Sequence, residues 1–221
     1  MYSRETRPGP RNNRFDSVAE PFLQSASGGF AEVLSGEAIE RVFAQHDGLF
    51  AEDDIYSTPL VLWAFLAQVL HGGKGAACAA AVADIATYLL QMGGRVPSGD
   101  TGDYCRARAK LKVSALRELV VETAEQLQTG ADPSWRWHGL NAKLIDGFTF
   151  TLPDTEENQK EFPQQKSQRP GVGLPLARAC AVLSLATAAI HDLNIGPYEG
   201  KKTGENALLR GILDSLKPGE V

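Results

Sequence analysis

Asp146 stands in the middle of an apolar, β-forming run, Leu144-Ile-Asp-Gly-Phe148. A carboxylate among such neighbours loses solvation free energy unless a cation or a hydrogen-bond donor compensates it. Two readings are open. Asp146 could be a ligand for a hard cation such as Mg²⁺, which takes oxygen donors held at fixed positions. Equally, it could be a strand aspartate satisfied by backbone donors. A second concentration of chemistry lies between positions 95 and 112, where Arg95, Arg106, Arg108, Lys110 and Lys112 face only Asp100 and Asp103. On a helix, Arg106, Lys110 and Arg117 share one stripe while Arg108 and Lys112 share another. Such a helix lies against phosphates with salt-dependent affinity, or it is simply a solvated face.

Other motifs are weaker. Gly72-Gly-Lys-Gly75 lacks the Ser/Thr after lysine and the leading strand of a phosphate loop. The four histidines, His46, His71, His138 and His191, have no paired ligand spacing. No Gly-x-Ser-x-Gly elbow marks a serine hydrolase. Cys78, Cys105 and Cys180 are too widely spaced for a disulfide framework or a zinc knuckle, and they read as buried, reduced thiols. Trp135 and Trp137 read as core or edge packing at the start of a strand rather than as base-stacking platforms.

The elements that must position these groups change character along the chain. Residues 1–30 form an expected disordered arm, opening with Arg4, Arg7, Arg11 and Arg14 in a Pro/Gly/Asn-rich setting. Residues 31–130 are helical. Ser35 is placed to cap a helix carrying Ile39, Val42 and Phe43 on one face. Thr58-Pro59 reads as a capping hydroxyl followed by proline at the first helical position. The run after it is apolar on nearly every side, which predicts a central helix. A third helix spans about Ala76–Met92, and a fourth is expected to run unbroken from about Thr101 to Gln128.

After Asp132-Pro133 the period becomes that of strands, expected over Ala142–Leu152, Leu176–Leu185 and Ala188–Ile195. Residues 154–168 read as an exposed loop with one helical turn. Thr203 is expected to cap a helix reaching Leu216, and Glu220-Val221 would begin a fourth strand. The fold class is therefore a helical N-terminal domain followed by an α/β domain.

Composition agrees with a globular chain: 221 residues, 43% apolar and 22% charged, with a net charge of −5. That net charge excludes a uniformly basic nucleic-acid coat but hides two basic segments. No apolar run approaches the roughly 20 residues of a membrane-spanning helix, and the N-terminus is not a secretory signal. A cytoplasmic location and no membrane partner are expected.

Several blocks, in order, resemble the bacterial insertion-sequence transposases of the DDE type, those of insertion-sequence family four. They are Ser57-Thr-Pro-Leu-Val-Leu-Trp-Ala-Phe-Leu-Ala-Gln-Val-Leu70, Gly102-Asp-Tyr-Cys-Arg-Ala-Arg-Ala-Lys-Leu111, Lys143-Leu-Ile-Asp-Gly-Phe-Thr-Phe-Thr-Leu-Pro-Asp-Thr155, and Ile195-Gly-Pro-Tyr198 with Thr203-Gly-Glu205. The resemblance implies that residues 31–130 contact DNA and that residues 138–221 begin a ribonuclease-H-like catalytic domain.

In that family three carboxylates hold two Mg²⁺ ions about 4 Å apart, for strand cleavage and transfer in cut-and-paste transposition. Asp146 matches the first carboxylate, as catalytic residue and metal ligand. The implied partners are double-stranded DNA, at element ends and target, together with a second copy or full-length transposase. The implied setting is the bacterial nucleoid. The family's second Asp belongs to the strand that Glu220-Val221 only starts, and its third carboxylate to a later helix. An N-terminal fragment inactive in strand transfer is therefore expected. The alternative is a non-catalytic remnant that binds element-end DNA or inhibits the full-length enzyme.

Overall fold

The structure, a computed structural model, describes residues 31, 34–51, 54–201 and 203–221. The expected basic arm over 1–30 lies outside the described residues. The chain divides into two compact units, one ending at Leu116 and one running from Arg117 to Val221.

The first unit is built from α1 (Gly36–Gln45), α2 (Thr58–Leu70), α3 (Cys78–Gln91) and α4 (Thr101–Ala109). The side chain of Ser35 accepts a hydrogen bond from the Ala38 N–H at 3.2 Å and so caps α1, as its position before the apolar stripe requires. The three apolar residues of that stripe, Ile39, Val42 and Phe43, are fully buried. Helix α2 packs against α1, α3 and α4, which is why it is apolar on most sides. Its residues Leu60, Val61 and Ala64 share the core with Ile85 and Tyr104.

The start of α2 differs from expectation. Ser57 is the N-cap, and Thr58 is the first helical residue. The Thr58 hydroxyl is buried and instead accepts from the Phe50 N–H at 3.0 Å, pinning the incoming loop. The Gly-rich turn after α2 is a 3-10 turn over Gly73–Ala76 and follows a helix rather than a strand.

The expected long fourth helix is two helices. Helix α4 ends at Ala109 and α5 (Val113–Gly130) starts after a break at Lys110-Leu-Lys112. No proline or glycine causes the break. Leu111, partly buried, packs against the core of this unit, so tertiary packing overrides local helix propensity.

In the second unit β1 (Lys143–Thr151), β2 (Leu176–Ser184) and β3 (Ile190–Pro197) form an antiparallel sheet in the order β1-β2-β3. The helix α6 (Glu156–Glu161) interrupts the long β1–β2 connection, capped by the Thr155 side chain. The β2–β3 turn is longer than expected because Ala188 takes a left-handed conformation (φ 57°), which delays β3 to Ile190.

Register defines the two faces. Ile145, Val182 and Asp192 form one cross-strand row, and Gly147, Cys180 and Asn194 form the next. The helix α7 (Glu205–Arg210) covers this face, with Leu208 and Ile212 packed on Cys180 and Val182. Two glycines permit the approach. A Cβ on Gly147 would lie 2.5 Å from Cγ of Glu205, and one on Gly196 would lie 3.1 Å from the Leu208 side chain. Helix α5 reaches the same face, where the Ser184 hydroxyl donates to Oε1 of Gln128 at 2.6 Å.

Helix α7 is shorter than expected. It starts after Gly204 rather than at Thr203, whose hydroxyl donates back to the Gly200 carbonyl, and it breaks into a 3-10 turn over Leu213–Ser215. The last residues then return to the open edge of β1. Glu220 bridges Asn141 in parallel, and the Lys143 N–H donates to the Val221 carbonyl at 2.7 Å. Trp135 and Trp137 are both more than half exposed, so they are surface residues rather than core.

Candidate functional site

Asp146 sits opposite Ala181 in the middle of β1 and is exposed. Its Oδ1 accepts a hydrogen bond from the Gly147 N–H at 2.9 Å. One carboxylate oxygen is thus held by backbone and the other is available. The two sequence readings are therefore compatible: a backbone donor fixes the side chain, and an oxygen remains for a ligand.

Asp146 lies on the face away from α7, in a row with Ala181 and Leu193, next to the row Phe148, Ala179 and Ile195. Leu144, Phe148 and Ile195 on this face are nearly half exposed. The carboxylate therefore stands among partly exposed apolar side chains, beside the buried alanines of β2. No group of three or more His, Cys, Asp or Glu side chains able to hold a metal ion occurs among the described residues. Asp154 accepts from the Gln159 amide at 2.8 Å, and Asp192 is committed to Arg117.

The basic residues separate once the helix is broken. Arg106, Arg108, Lys110 and Lys112 belong to the first unit, and Arg117 belongs to the second. Arg106 is exposed and pairs with Asp103 one turn earlier. Lys110 is exposed, with its ammonium 5.7 Å from the centre of the Phe50 ring. Lys112 is exposed and covers Gly48 with its stem.

Arg108 is different in kind. Its Nη1 donates to Oε1 of Gln68 at 3.0 Å, and its guanidinium lies over the rings of Phe65 and Tyr104. It is a packing residue of α2 and α4. Arg117 donates twice to Oδ1 of Asp192, at 3.1 and 2.7 Å, and so fastens α5 to β3. The residues expected on one helix are therefore divided between α4, the break after it and α5.

What the structure adds is a cleft of about 280 Å³ in which Arg95 joins Arg106 and Lys110, beside Phe50 and Tyr56. Asp54 and Asp103 also line it. The Oη of Tyr56 is buried with no hydrogen-bond partner among the described residues, and burial, reinforced by Asp103, raises its phenol above the ordinary range. Sequence reasoning marked the basic segment but not this grouping, because Arg95 and Arg106 are brought together by tertiary folding.

The ends of the second unit are tied by charge. The Lys143 ammonium lies 3.0 Å from Oε1 of Glu220, with both side chains nearly buried. Burial alone would raise the Glu220 carboxyl, but the Lys217 N–H and the Lys143 charge hold it below the usual carboxylate range. His191, buried nearby, is pushed down by burial and then by the Lys143 charge.

No family model and no solved structure matches the chain. It is similar to the transposase InsG for insertion sequence element IS4 of Escherichia coli (strain K12), with 24% identity over 203 residues. That match takes in 91% of this chain and 42% of the relative's length. A match of this extent necessarily includes Asp146 and the segment from Arg106 to Arg117. The resemblance to the transposases of insertion-sequence family four, legible first in the blocks around Asp146, is thus supported along 91% of the chain.

Proposed function

We propose that this chain carries the DNA-contacting region and the first catalytic strand of a DDE-type DNA transposase. The similarity over 91% of its length to a transposase is the observation that carries this reading. Two features of the second unit support its ribonuclease-H-like part. An exposed carboxylate occupies the middle of the first strand of an antiparallel three-stranded sheet. The segment ending at Val221 joins the free edge of that strand in parallel and heads toward Asp146.

Double-stranded DNA is the proposed partner, at element ends and at the target, with Arg106, Lys110 and Lys112 as phosphate contacts. Arg108 and Arg117 act beside them by holding the helices. The proposed setting is the bacterial cytoplasm, at the nucleoid, and no helix among the described residues is long and apolar enough to cross a membrane.

Asp146 is the proposed ligand for a divalent cation, Mg²⁺ by the hardness of its oxygen donors. The described residues supply that one ligand and do not close a site around it. The 221-residue chain is accordingly proposed to bind DNA without cutting it. This also makes room for the second reading, a non-catalytic remnant that occupies element ends or pairs with full-length transposase.

Fluorescence anisotropy on a labelled duplex from the element end tests the proposal. Three phosphate contacts predict a slope of about −3 in log K against log[salt]. Replacing Arg106, Lys110 and Lys112 with Ala should flatten that slope, whereas Arg108 is left intact to keep the helices packed. Salt-independent binding, or an unchanged triple variant, refutes the assignment. Mg²⁺-dependent cleavage by the purified chain, lost in Asp146→Ala, refutes its inactivity.

A further inference from the structure

All three thiols are free, as expected, but the expected burial holds only for Cys180. Cys78 is the first residue of α3 and Cys105 lies within α4; both are half-buried, and their Sγ atoms are 3.6 Å apart. The surroundings of Cys78 are those of a thiolate. Its sulfur accepts from the Cys105 thiol and from Nε2 of Gln68, at 3.6 Å each, and Nη1 of Arg108 approaches to 4.0 Å. Gln68 is itself held, since its Oε1 accepts from the Tyr104 hydroxyl at 2.9 Å and from Arg108 at 3.0 Å. The N-terminus of α3 adds its positive dipole end.

The two thiols are accordingly driven apart. The Gln68 amide, the Cys105 thiol and the Arg108 charge together hold the Cys78 thiol below its ordinary range. Donation to Cys78, and then burial, pushes Cys105 above it. One sulfur is set up to attack, and the other, protonated, is within reach to follow. Joining them requires the sulfurs to close from 3.6 Å to a bond of about 2.05 Å.

We propose that Cys78 and Cys105 are a peroxide-oxidised dithiol, with Cys78 the reacting sulfur and Cys105 the resolving one. The Cys78 thiolate attacks one oxygen of hydrogen peroxide, the O–O bond breaks, and the departing hydroxide takes a proton to leave as water. This gives a sulfenic acid on Cys78. Cys105 then attacks that sulfur, its proton leaves with the hydroxyl as a second water, and the Cys78–Cys105 disulfide forms. Overall two thiols lose two electrons and two protons to the peroxide. The disulfide ties the first turn of α3 to α4 and removes the charged sulfur that Arg108 and Gln68 face.

The test uses the reduced full chain exposed to a small excess of hydrogen peroxide. Alkylated with maleimide after quenching and denaturation, so that buried Cys180 is counted, the chain should show free thiols falling from three to one, with Cys180 retained, and dithiothreitol should restore all three. Peptide mapping without reductant should recover a peptide containing Cys78 linked to one containing Cys105 of the same chain. In Cys105→Ser, dimedone should trap a sulfenic acid at Cys78 and no cross-link should form. In Cys78→Ser, Cys105 should stay open to alkylation at the same dose. The proposal is overturned by cross-links that run between chains, or by three alkylatable thiols after peroxide has consumed a free-cysteine reference. Equal loss of Cys105 with and without Cys78 also overturns it.

Discussion

Replacing Glu220 with Gln should unfasten the end of the second unit from β1. The Lys143 side chain is 2% exposed and that of Glu220 10% exposed, so the pair sits in a low-dielectric setting rather than at the surface. Beyond the ion pair, the Lys143 Nζ has no hydrogen-bond partner of suitable geometry among the described residues. Glu220→Gln therefore strands a buried cation, and breaking such a pair from one side costs about 3–5 kcal/mol. Removing both charges is different, because a buried pair replaced by apolar side chains is often neutral. Glu220→Gln combined with Lys143→Met should thus recover most of the loss.

Native-state amide exchange reads this locally. The Lys143 N–H donates to the Val221 carbonyl at 2.7 Å, and the Val221 N–H donates to Asn141 at 3.1 Å. A loss of about 3 kcal/mol, at 1.36 kcal/mol per factor of ten, accelerates exchange of these amides by about 10²-fold. The Val182 amide, in the central strand, should change less. In Lys143→Met the titration of His191 should also move up, because one of the charges that lowers it is gone. Exchange at Lys143 and Val221 within about threefold of wild type, or no rescue in the double variant, refutes this account.

Acid should weaken the second unit in two stages. His191 has a folded pKa below its unfolded value of about 6.5, so the unfolded state binds more protons and stability declines as pH falls below that value. Glu220, also lowered, contributes stability that is present above the ordinary carboxylate range and lost as pH falls through its folded value. A urea midpoint series from pH 8 to 4 checks both, and His191→Phe should flatten the upper stage. Gly147→Ala should cost about 1–3 kcal/mol, because its methyl would displace the Glu205 side chain. Ser35→Ala should cost about 1 kcal/mol by removing the cap of α1, read as a lower thermal midpoint of the first unit. Asp146→Ala should change stability by less than about 1 kcal/mol, since the side chain is exposed and bonded only to its own neighbour's N–H.

Local signals carried much of the secondary structure. Ser35 before an apolar stripe, and alternation through residues 143–151 and 176–184, produce a capped helix and two strands close to the expected positions. Long-range packing decided the rest. Leu111 breaks an otherwise helical stretch because it packs against the core of the first unit. The Thr58 hydroxyl has the right spacing to be a cap but is used to hold Phe50, eight residues earlier. At the candidate site, the mid-strand place of Asp146 was legible from its apolar neighbours, but its exposure was not, because those neighbours read as a desolvated setting and the strand instead leaves the carboxylate in water. The commitment of Arg117 to Asp192, 75 residues away, was not, because no local pattern encodes a pairing between α5 and β3. The same holds for Cys78 and Cys105, whose 27-residue separation says nothing of their 3.6 Å proximity.

The partly exposed apolar side chains around Asp146 couple two events that would otherwise be independent. Leu144, Phe148 and Ile195 gain free energy when something covers them, at roughly 25 cal/mol per Å² removed from water. Asp146 lies among them, and an ionised carboxylate sealed beneath an apolar cover loses its water without recompense. A purely hydrophobic partner therefore cannot close over this face without stranding a charge. Whatever covers it must bring a cation or donors to Asp146 as part of the same event. Cation affinity and occupancy of the face are thereby linked: each raises the other by the same factor.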